Sequence, residues 1–461
     1  MEKGKDTIAL ILAAGAGTRM KSQKPKVLHK VCGKPMLEHV IEQVRKLQVE
    51  KIIVVIGNGA DQVRVTIGED VEYVYQRELL GTGHAVMEGE HLFRDHRGNI
   101  LLLYGDTPLI SASTLSKFIQ YHKENNFAAT VLTARFENPF GYGRIIRNKR
   151  GNIVSIVEQK DANKEQLSIT EINSGMYYFN SQLLCKALKN ITNDNAQGEY
   201  YITDTIEVLN KEGYTIGGYE VEVAEEIEGV NSRAQLAKAE AFMRKAINEY
   251  WMEQGVTFVD PATTYIHKEV EIGKDTIIYP GVLLEGRSKI GSNCIIGAHS
   301  RIVDSNIGDN VEIQISTILE STIKNKTRIG PYAYIRPNCL IGENVKIGDF
   351  VEVKNSIIDD NTSAAHLSYI GDAEVGKNVN IGCGTIFVNY DGHKKHKTIV
   401  RDSAFIGCNT NLVAPVEIKE GSFIAAGSTI TDEVPPYSLA IARARQVNKE
   451  GRFKKKETKD K

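Results

Sequence analysis

The sequence has no hydrophobic run long enough to cross a membrane and no excess of charge of either sign. The N-terminal apolar run from Ile8 to Ala14 is far shorter than the ~20 residues that a spanning helix needs. It continues into Gly15 to Arg19, which is typical of a strand-to-loop junction and not of a signal-peptide cleavage site. The 57 Lys and Arg residues balance 58 Asp and Glu residues. This balance argues against a nucleic-acid-binding protein and against an acidic disordered chain.

Cysteine is also scarce, and no two cysteines form a C-x-x-C pair. The six are Cys32, Cys185, Cys294, Cys339, Cys383 and Cys408. Such dispersed cysteines in a chain of 461 residues indicate reduced thiols in the cytoplasm and no disulfide framework. We therefore expect a soluble cytoplasmic protein that binds neither membrane nor nucleic acid. The basic tail from Lys449 to Lys461 is interpreted as solvated and not as a nucleic-acid patch.

The first half of the chain alternates apolar runs with helical patterns. Four nearly continuous apolar runs predict parallel strands that are covered on both faces: Ile8 to Ala13, Ile52 to Ile56, Ile100 to Tyr104 and Ala129 to Thr133. Between the first two runs, apolar residues from Leu37 to Leu47 follow a helical spacing. This alternation predicts a doubly wound α/β domain with ligands at the carboxyl ends of its strands.

A helix over residues 233–254 is predicted to connect this domain to the rest of the chain. Ser232 with Gln235 fits a capping box at its start, and Gly255 fits its end. The expected organisation is a first domain at 1–232, the connector helix at 233–254 and a second domain at 255–461.

The second domain has aliphatic residues at a period of six. They form the series Ile290, Ile296, Ile302; Ile329, Ile335, Ile341, Ile347, Val353; and Ile406, Leu412, Ile418, Ile424, Ile430. A coil with three flat faces and one inward aliphatic residue per face explains this period. Many of these residues precede a glycine, which we expect to permit the turn at each corner. The rhythm is interrupted at Lys354 to Tyr369, which contains His366, and at Asn389 to His396, so a site is expected at these two breaks.

The loop after the first strand carries a candidate phosphate-binding motif. Leu12 to Met20 reads LAAGAGTRM, and its glycines would let backbone N–H groups and the next helix N-terminus approach an anion. It lacks the third glycine of a dinucleotide fingerprint and the G-K-[ST] of a Walker A loop, and an ordinary βα turn is the alternative. Pro25 then places Lys26, a point charge suited to phosphate.

These motifs resemble the signature of sugar-phosphate nucleotidylyltransferases. Further matches are Gln76 and residues 80–85 (LGTGHA), 103–109 (LYGDTPL), 141–145 (GYGRI), 156–161 (IVEQKD), 171–175 (EINSG), 195–204 (NAQGEYYITD) and 228–231 (EGVN). Joined to six-residue repeats, the whole chain resembles the bifunctional N-acetylglucosamine-1-phosphate uridyltransferase and glucosamine-1-phosphate acetyltransferase family. The resemblance implies a nucleotidylyltransferase domain followed by a left-handed parallel β-helix of hexapeptide repeats.

The resemblance also implies two reactions. Glucosamine-1-phosphate is acetylated from acetyl-CoA, and N-acetylglucosamine-1-phosphate then reacts with UTP to give UDP-N-acetylglucosamine for bacterial cell-wall precursors. The implied assembly is a homotrimer, and the implied metal is Mg²⁺, held by Asp106 and Asn231 through oxygen ligands. Asn231 could instead cap the connector helix, and Asp106 could be a strand-end cap.

In the first site the resemblance assigns uridine, sugar and phosphate contacts. The uridine contacts are Leu12, Ala13, Ala14, Gly15, Gln76, Gly81 and Thr82; the sugar contacts are Gly143, Glu158 and Asn173; the phosphate contacts are Arg19 and Lys26. Gln76 and Glu158 could otherwise be solvated polar groups at strand ends.

In the second site the resemblance makes His366 the base that deprotonates the amine, a step that suits neutral imidazole. Sugar-phosphate contacts are Arg336, Lys354, Tyr369 and Asn380, and acetyl-CoA contacts are Cys383, Asn389, Tyr390, Cys408, Ala426 and Arg443. Cys383 stands where the family often has Ala and Cys408 where it often has Ser, which leaves open an acetyl-cysteine route. We expect direct attack of the amine on acetyl-CoA, because neither cysteine has a helix N-terminus or an obvious basic partner nearby that would lower the pKa of its thiol.

Two alternatives to the bifunctional enzyme stay open. One is a single-activity nucleotidylyltransferase whose solenoid regulates or oligomerises, against which the His366 motif and the Asn389–Tyr390 loop argue. The other is a non-catalytic scaffold, against which the set of Gly15, Lys26, Asp106 and Asn231 argues.

Overall fold

The computed structural model describes residues 6–452, and the chain divides into two compact units, Met1–Met243 and Arg244–Lys461. Residues 453–461, most of the basic tail, lie outside the described residues. Within residues 6–452, the helices are all too short or too polar to span a membrane.

The first unit is built on a nine-stranded sheet, and all four predicted strands are confirmed. The central strand, Thr7–Leu12, is buried at every residue and pairs in parallel with Lys51–Ile56 and Asn99–Tyr104. Glu171–Asn180 is the antiparallel strand between Asn99–Tyr104 and Ala129–Arg135. In spatial order the strands are Ile216–Glu220, Ala129–Arg135, Glu171–Asn180, Asn99–Tyr104, Thr7–Leu12, Lys51–Ile56 and Glu72–Tyr75, with Arg144–Arg147 and Ile153–Val157 attached to Glu171–Asn180.

Helices cover both faces of this sheet, which is why its strands are apolar throughout. Ile8 and Leu10 belong to one buried cluster, whereas Ala9 and Ile11 belong to the other. The α-helices are Met36–Lys46, Ala60–Ile67, Thr82–Gly89, Ala112–Asn125, Lys164–Leu167, Ser181–Leu188, Asp204–Lys211 and Arg233–Glu253. The 3-10 helices are Thr18–Met20, Lys26–Leu28, Glu90–Leu92 and Ala224–Ile227, and a small hairpin joins Lys30–Val31 to Lys34–Pro35.

The helix Arg233–Glu253 starts as predicted, with one difference in its cap. The Ser232 hydroxyl accepts the Gln235 backbone N–H at 3.2 Å, but the Gln235 side chain accepts the backbone N–H of Asn231 at 2.9 Å and not that of Ser232. The alternative role of Asn231 as the cap is therefore wrong, and its side chain is available to the cleft described below. The division between the units falls inside this helix, so the boundaries at 232 and 254 stay a prediction.

The second unit is the expected left-handed parallel β-helix, with one parallel sheet on each of three faces. Face one contains Thr257–Phe258, Ile277–Ile278, Ile295–Ile296, Glu312–Ile313, Arg328–Ile329, Lys346–Asp349, Ser363–His366, Asn380–Ile381, Phe405–Ile406, Phe423–Ile424 and Leu439–Ala440. Face two contains Tyr265–Ile266, Leu283–Glu285, Arg301–Val303, Thr317–Leu319, Tyr334–Ile335, Glu352–Lys354, Tyr369–Gly371, Ile386–Val388, Asn411–Val413 and Thr429–Ile430. Face three contains Glu271–Ile272, Lys289–Ile290, Asn306–Ile307, Thr322–Ile323, Leu340–Ile341, Ile357–Ile358, Ala373–Val375, Thr398–Val400 and Val416–Ile418.

The two predicted breaks in the repeat differ in kind. Within Lys354 to Tyr369 the period of six shifts by one residue, because the inward Ile358 follows the inward Val353 after five residues, but the chain stays in the coil. Ile358, Ala364 and Ile370 occupy successive inward positions and are fully buried. The second break is real, since the chain leaves the coil after Phe387 and returns at the strand Thr398–Val400.

The predicted reason for the repeated glycines is also wrong. Among the glycines that follow inward isoleucines, Gly330 has a positive φ, but Gly291, Gly382 and Gly407 do not. A Cβ on Gly407 would lie 2.5 Å from the Ala426 backbone nitrogen of the next coil. These glycines therefore permit the close approach of neighbouring coils and do not provide left-handed turns.

Candidate active sites

The first candidate site is a cleft of about 670 Å³ at the carboxyl ends of the strands in the first unit. Every residue predicted for the uridylyl-transfer site lines it: Leu12, Ala13, Ala14, Gly15, Arg19, Lys26, Gln76, Gly81, Thr82, Asp106, Gly143, Glu158, Asn173 and Asn231. Residues as far apart in the sequence as Leu12 and Asn231 are therefore brought to one cleft.

The loop from Gly15 to Lys26 forms one wall of the cleft. Gly17 has a φ of 62°, and a Cβ there would lie 2.8 Å from Cβ of Lys26, so a larger residue would displace that lysine. The expected helix after this loop is wrong, because Thr18–Met20 is only a short 3-10 helix. Cationic side chains, Lys26 and Arg19, therefore provide the positive charge at this wall in place of a helix dipole.

Three of the predicted residues meet at one point. The Lys26 ammonium lies 2.5 Å from Oδ2 of Asp106 and 2.9 Å from Oδ1 of Asn231. Both side chains of the Lys26–Asp106 pair are largely buried. A carboxylate and an amide oxygen thus converge on a single cation, and this donor set fits a hard divalent metal ion.

The residues predicted to contact uridine are held in place by hydrogen bonds within the protein. Gln76 is only 4% exposed, so the alternative of a solvated strand-end group is wrong, and its Nε2 donates to the Gly81 carbonyl at 3.1 Å. Gly81 has a φ of 107°, and a Cβ there would lie 2.5 Å from the Tyr200 carbonyl oxygen. The Thr82 hydroxyl accepts the Ile202 backbone N–H at 3.2 Å.

The residues predicted to contact the sugar line another wall of the cleft. The Asn173 backbone N–H donates to the Gly143 carbonyl at 2.9 Å, and its Nδ2 donates to the Tyr177 hydroxyl at 2.8 Å. Burial raises the pKa of Glu158, and the Asp161 and Asp204 carboxylates add to this effect. A Cβ on Gly143 would lie 3.3 Å from a Glu158 oxygen, so glycine leaves room beside this carboxyl group.

The sequence reasoning did not assign several aromatic residues that line the same cleft. They include Tyr104, Tyr142 and Tyr201. Burial raises the pKa of Tyr142 to about 12, with smaller contributions from Glu228 and Asp106, so its phenol is neutral at pH 7. All three tyrosines are inside motifs that were recognised, and their place beside assigned residues was the available signal.

The second candidate site is a ladder of equivalent corner positions in the β-helix. Strand pairing sets Asp349 beside His366, and the pairings of the following coils place Cys383, Cys408 and Ala426 next in the same column. Arg443 lies at the end of this column, since a Cβ on Gly427 would be 3.8 Å from its Cδ. The predicted base and four of the predicted acetyl-CoA contacts thus share one edge of the solenoid.

His366 has a carboxylate partner that the sequence reasoning missed. Its Nδ1 lies 2.6 Å from Oδ1 of Asp349, and the imidazole is 57% exposed. The hydrogen bond with His366 lowers the pKa of Asp349. The two residues are one coil apart, so the coil length was the signal that could have found the pair.

Three of the four predicted sugar-phosphate contacts, Arg336, Lys354 and Tyr369, form a separate group. Arg336 lies beside Lys354 because their strands pair at Ile335 and Val353, and Lys354 lies 3.4 Å from Asp372. The Asn389 side chain donates to Asp372 at 2.5 Å and to the Tyr369 hydroxyl at 3.3 Å.

Residues 389–397, which leave the coil between Ile386–Val388 and Thr398–Val400, form an excursion loop. This loop adds a third cation to the group, Lys395, which the sequence reasoning missed. The neighbouring Lys354 lowers the pKa of Lys395, because two ammonium groups disfavour each other's charge. Arg336, Lys354 and Lys395 together provide the positive charge that a phosphate requires.

Within one chain, the predicted residues of the second site are not all in contact with one another. Among residues 6–452, no hydrogen bond or ion pair links His366 or the exposed Asn380, both on face one, to the Arg336 and Lys354 group on face two. Tyr390 is exposed on the excursion loop, where its hydroxyl donates to the Gly392 carbonyl at 2.7 Å. A single chain therefore presents the second site in separate parts.

Comparison with known proteins finds matches along nearly the whole chain. Residues 8–255 match the nucleotidyl transferase family, residues 269–303 match the bacterial transferase hexapeptide repeats, and residues 317–390 match the GMPPB C-terminal domain. The chain is 56% identical to the bifunctional protein GlmU of Clostridioides difficile over 98% of both chains. It is 51% identical to that of Shouchella clausii, over 97% of this chain and 98% of the relative. It therefore belongs to the GlmU family of bifunctional proteins.

Proposed function

We propose that the cleft of the first unit and the column of corner residues from Asp349 to Arg443 in the β-helix are the two active sites of this bifunctional enzyme. As an acetyltransferase it acetylates glucosamine-1-phosphate, and as a uridyltransferase it transfers UMP from UTP to N-acetylglucosamine-1-phosphate. The observation that carries the assignment of the first reaction is the convergence of Asp106 and Asn231 on Lys26 inside the cleft.

In the first reaction, a phosphate oxygen of the sugar attacks the α-phosphorus of UTP and pyrophosphate leaves. Lys26 and Arg19 bind phosphate oxygens, and Glu158 and Asn173 orient the sugar. The family uses a divalent metal, and we propose Mg²⁺ held by Asp106 and Asn231, which would neutralise charge on the triphosphate. Gln76, Gly81 and Thr82 position the uridine.

In the second reaction, the amine of glucosamine-1-phosphate attacks the thioester carbonyl of acetyl-CoA, the C–S bond breaks and CoA leaves as its thiolate. His366 accepts the proton that the amine loses. Asp349 holds Nδ1 of the imidazole, so Nε2 carries the lone pair, and the carboxylate stabilises the imidazolium that forms. Arg336 and Lys354 bind the sugar phosphate together with Tyr369 and Asn380. The column from Cys383 to Arg443, with Asn389 and Tyr390, binds acetyl-CoA.

We propose that the active assembly is a homotrimer in the cytoplasm. The separated parts of the second site support an assembly in which one copy completes the site of another. Four exposed apolar residues occupy the same corner in successive coils: Ile315, Tyr332, Phe350 and Leu367. The centroids of the Tyr332 and Phe350 rings are 5.3 Å apart and the rings stack. The four residues thus form an exposed apolar strip that another copy of the chain can cover.

A coupled assay tests this function. Glucosamine-1-phosphate, acetyl-CoA, UTP and Mg²⁺ are incubated with the enzyme, and free CoA thiol and pyrophosphate are measured separately. We expect pyrophosphate release from glucosamine-1-phosphate to require acetyl-CoA, and release from N-acetylglucosamine-1-phosphate to be independent of it. A chain that releases pyrophosphate but never CoA would instead be the single-activity nucleotidylyltransferase.

The assembly is tested by its mass in solution. Analytical ultracentrifugation is expected to give three times the monomer mass. Replacing the exposed Phe350 with Asp should release monomers, whereas Val65→Asp, at an even more exposed apolar residue of the first unit, should leave the mass unchanged. A wild-type monomer with full acetylation activity would contradict the trimer.

A further inference from the structure

Cys383 and Cys408 are partners across neighbouring coils. The strands Asn380–Ile381 and Phe405–Ile406 pair in register, and each cysteine lies two residues beyond its strand. The pairing continues past the strands, because the Asn409 backbone N–H donates to the Cys383 carbonyl at 2.7 Å. Neighbouring strands are ~4.8 Å apart. This spacing falls within the Cα separation of about 4.4–6.8 Å that a disulfide requires.

These two cysteines are also the accessible ones. Cys383 is partly exposed and Cys408 is exposed, whereas Cys32, Cys185, Cys294 and Cys339 are buried. The sequence reasoning found no basic partner for either thiol, and the structure corrects this for Cys383. His366 occupies the equivalent position in the preceding coil, so an imidazole that can accept a thiol proton lies one strand away.

We propose that Cys383 and Cys408 are a reversible thiol–disulfide modification site that controls acetyl transfer. The oxidant is a small-molecule disulfide, R–S–S–R. The Cys383 thiolate attacks one of its sulfurs, forms a mixed disulfide and releases RS⁻. The Cys408 thiolate then attacks the Cys383 sulfur, forms the Cys383–Cys408 bond and releases the second RS⁻. The two cysteines lose two electrons, and their protons end on two RSH molecules.

The effect on activity rests on the proposed function, which places acetyl-CoA along this column. Closing the bond turns both side chains toward each other and away from the positions that they have as free thiols. A misplacement of about 1 Å in a substrate-positioning group can cost on the order of a hundredfold. We expect the closed form to lose ten- to a hundredfold in acetylation at low acetyl-CoA, while uridylyl transfer is unchanged.

The full-length enzyme is equilibrated with glutathione disulfide, and intact mass, non-reduced peptide maps and both activities are measured. The wild type should lose two hydrogens, yield a linked Cys383–Cys408 peptide and retain no glutathione, and dithiothreitol should restore acetylation. Cys383→Ala and Cys408→Ser should each retain one glutathione, because the second thiol needed for its release is missing. The double variant should show the same acetylation rate before and after glutathione disulfide, relative to its own reduced form.

Wild-type enzyme that retains glutathione and yields no linked peptide would overturn the proposal. So would a linked enzyme that acetylates normally, or a double variant that loses acetylation in the same proportion as the wild type. A reduced wild type that does not acetylate would instead refute the proposed function, and the linked peptide would still report on the thiol pair.

Discussion

The His366→Ala substitution tests the acetyl-transfer mechanism most directly. The imidazole is 57% exposed, and its side-chain partner among the described residues is Asp349. A surface substitution of this kind changes the free energy of unfolding by less than about 0.5 kcal/mol, so the variant should fold. A general base typically contributes 10²- to 10⁴-fold, or ~2.7–5.4 kcal/mol of transition-state stabilisation. We expect acetylation to fall by that factor.

The assay uses the second activity of the same chain as its internal control. CoA release is followed with a thiol reagent and pyrophosphate release with a coupled enzyme, and only CoA release should fall. Asp349→Asn should also lower CoA release, because the amide no longer provides a negative charge beside the imidazolium. Glu285→Gln removes a partly exposed ion pair with Arg301 elsewhere in the β-helix and should change neither activity. Acetylation by His366→Ala near the wild-type rate would refute the role of His366 as the base.

Four further outcomes are expected. Asp106→Ala should abolish pyrophosphate release and spare CoA release, since acyl transfer has no triphosphate to neutralise; equal loss of both in a folded variant would contradict independent sites. A fragment ending at residue 254 should keep uridylyl transfer from N-acetylglucosamine-1-phosphate, and a folded but inactive fragment would show that the β-helix helps to build the first site. Acid-quenched turnover with labelled acetyl-CoA should leave Cys383 and Cys408 unacetylated, whereas a trapped acetyl-cysteine would replace direct attack as the mechanism. Burial, with Glu207 and Asp161, raises the pKa of Asp204 from 3.8 to about 6, so its ionisation costs stability as pH rises through that window. Because Asp204 is partly exposed, Asp204→Asn should stabilise the enzyme by only about 1 kcal/mol at pH 7 and by almost nothing at pH 4, and equal thermal shifts at both pH values would contradict this cause.

Most of the fold was predictable because each unit repeats a local pattern. The strand Thr7–Leu12 is apolar at nearly every position since helices cover both faces of its sheet, and this leaves a continuous signal in the sequence. The β-helix was predictable from one buried aliphatic residue per face. The period of six was lost after Val353 because the next inward residue, Ile358, follows after five residues, and because an alanine fills the inward position at Ala364.

The site residues that carry a motif were predictable, whereas their partners were not. Lys26, Asp106 and Asn231 each belong to a recognisable segment, but only the fold brings the three side chains to one point. Asp349 was missed because nothing local distinguishes it from other exposed aspartates of the β-helix. Its contact with His366 follows from a separation of one coil, which can be located in the sequence only once the length of the coil is known.

The sequence by itself determined which segments form strands, helices and coils, because burial on one or two faces dictates the spacing of apolar residues. It also determined the family, since the motifs occur in order along nearly the whole chain. Tertiary structure alone decided which side chains touch. The register between coils places His366 between Asp349 and Cys383 and sets Cys383 beside Cys408. The sequence does not reveal these pairs, because the number of residues between paired positions changes with the length of each intervening loop.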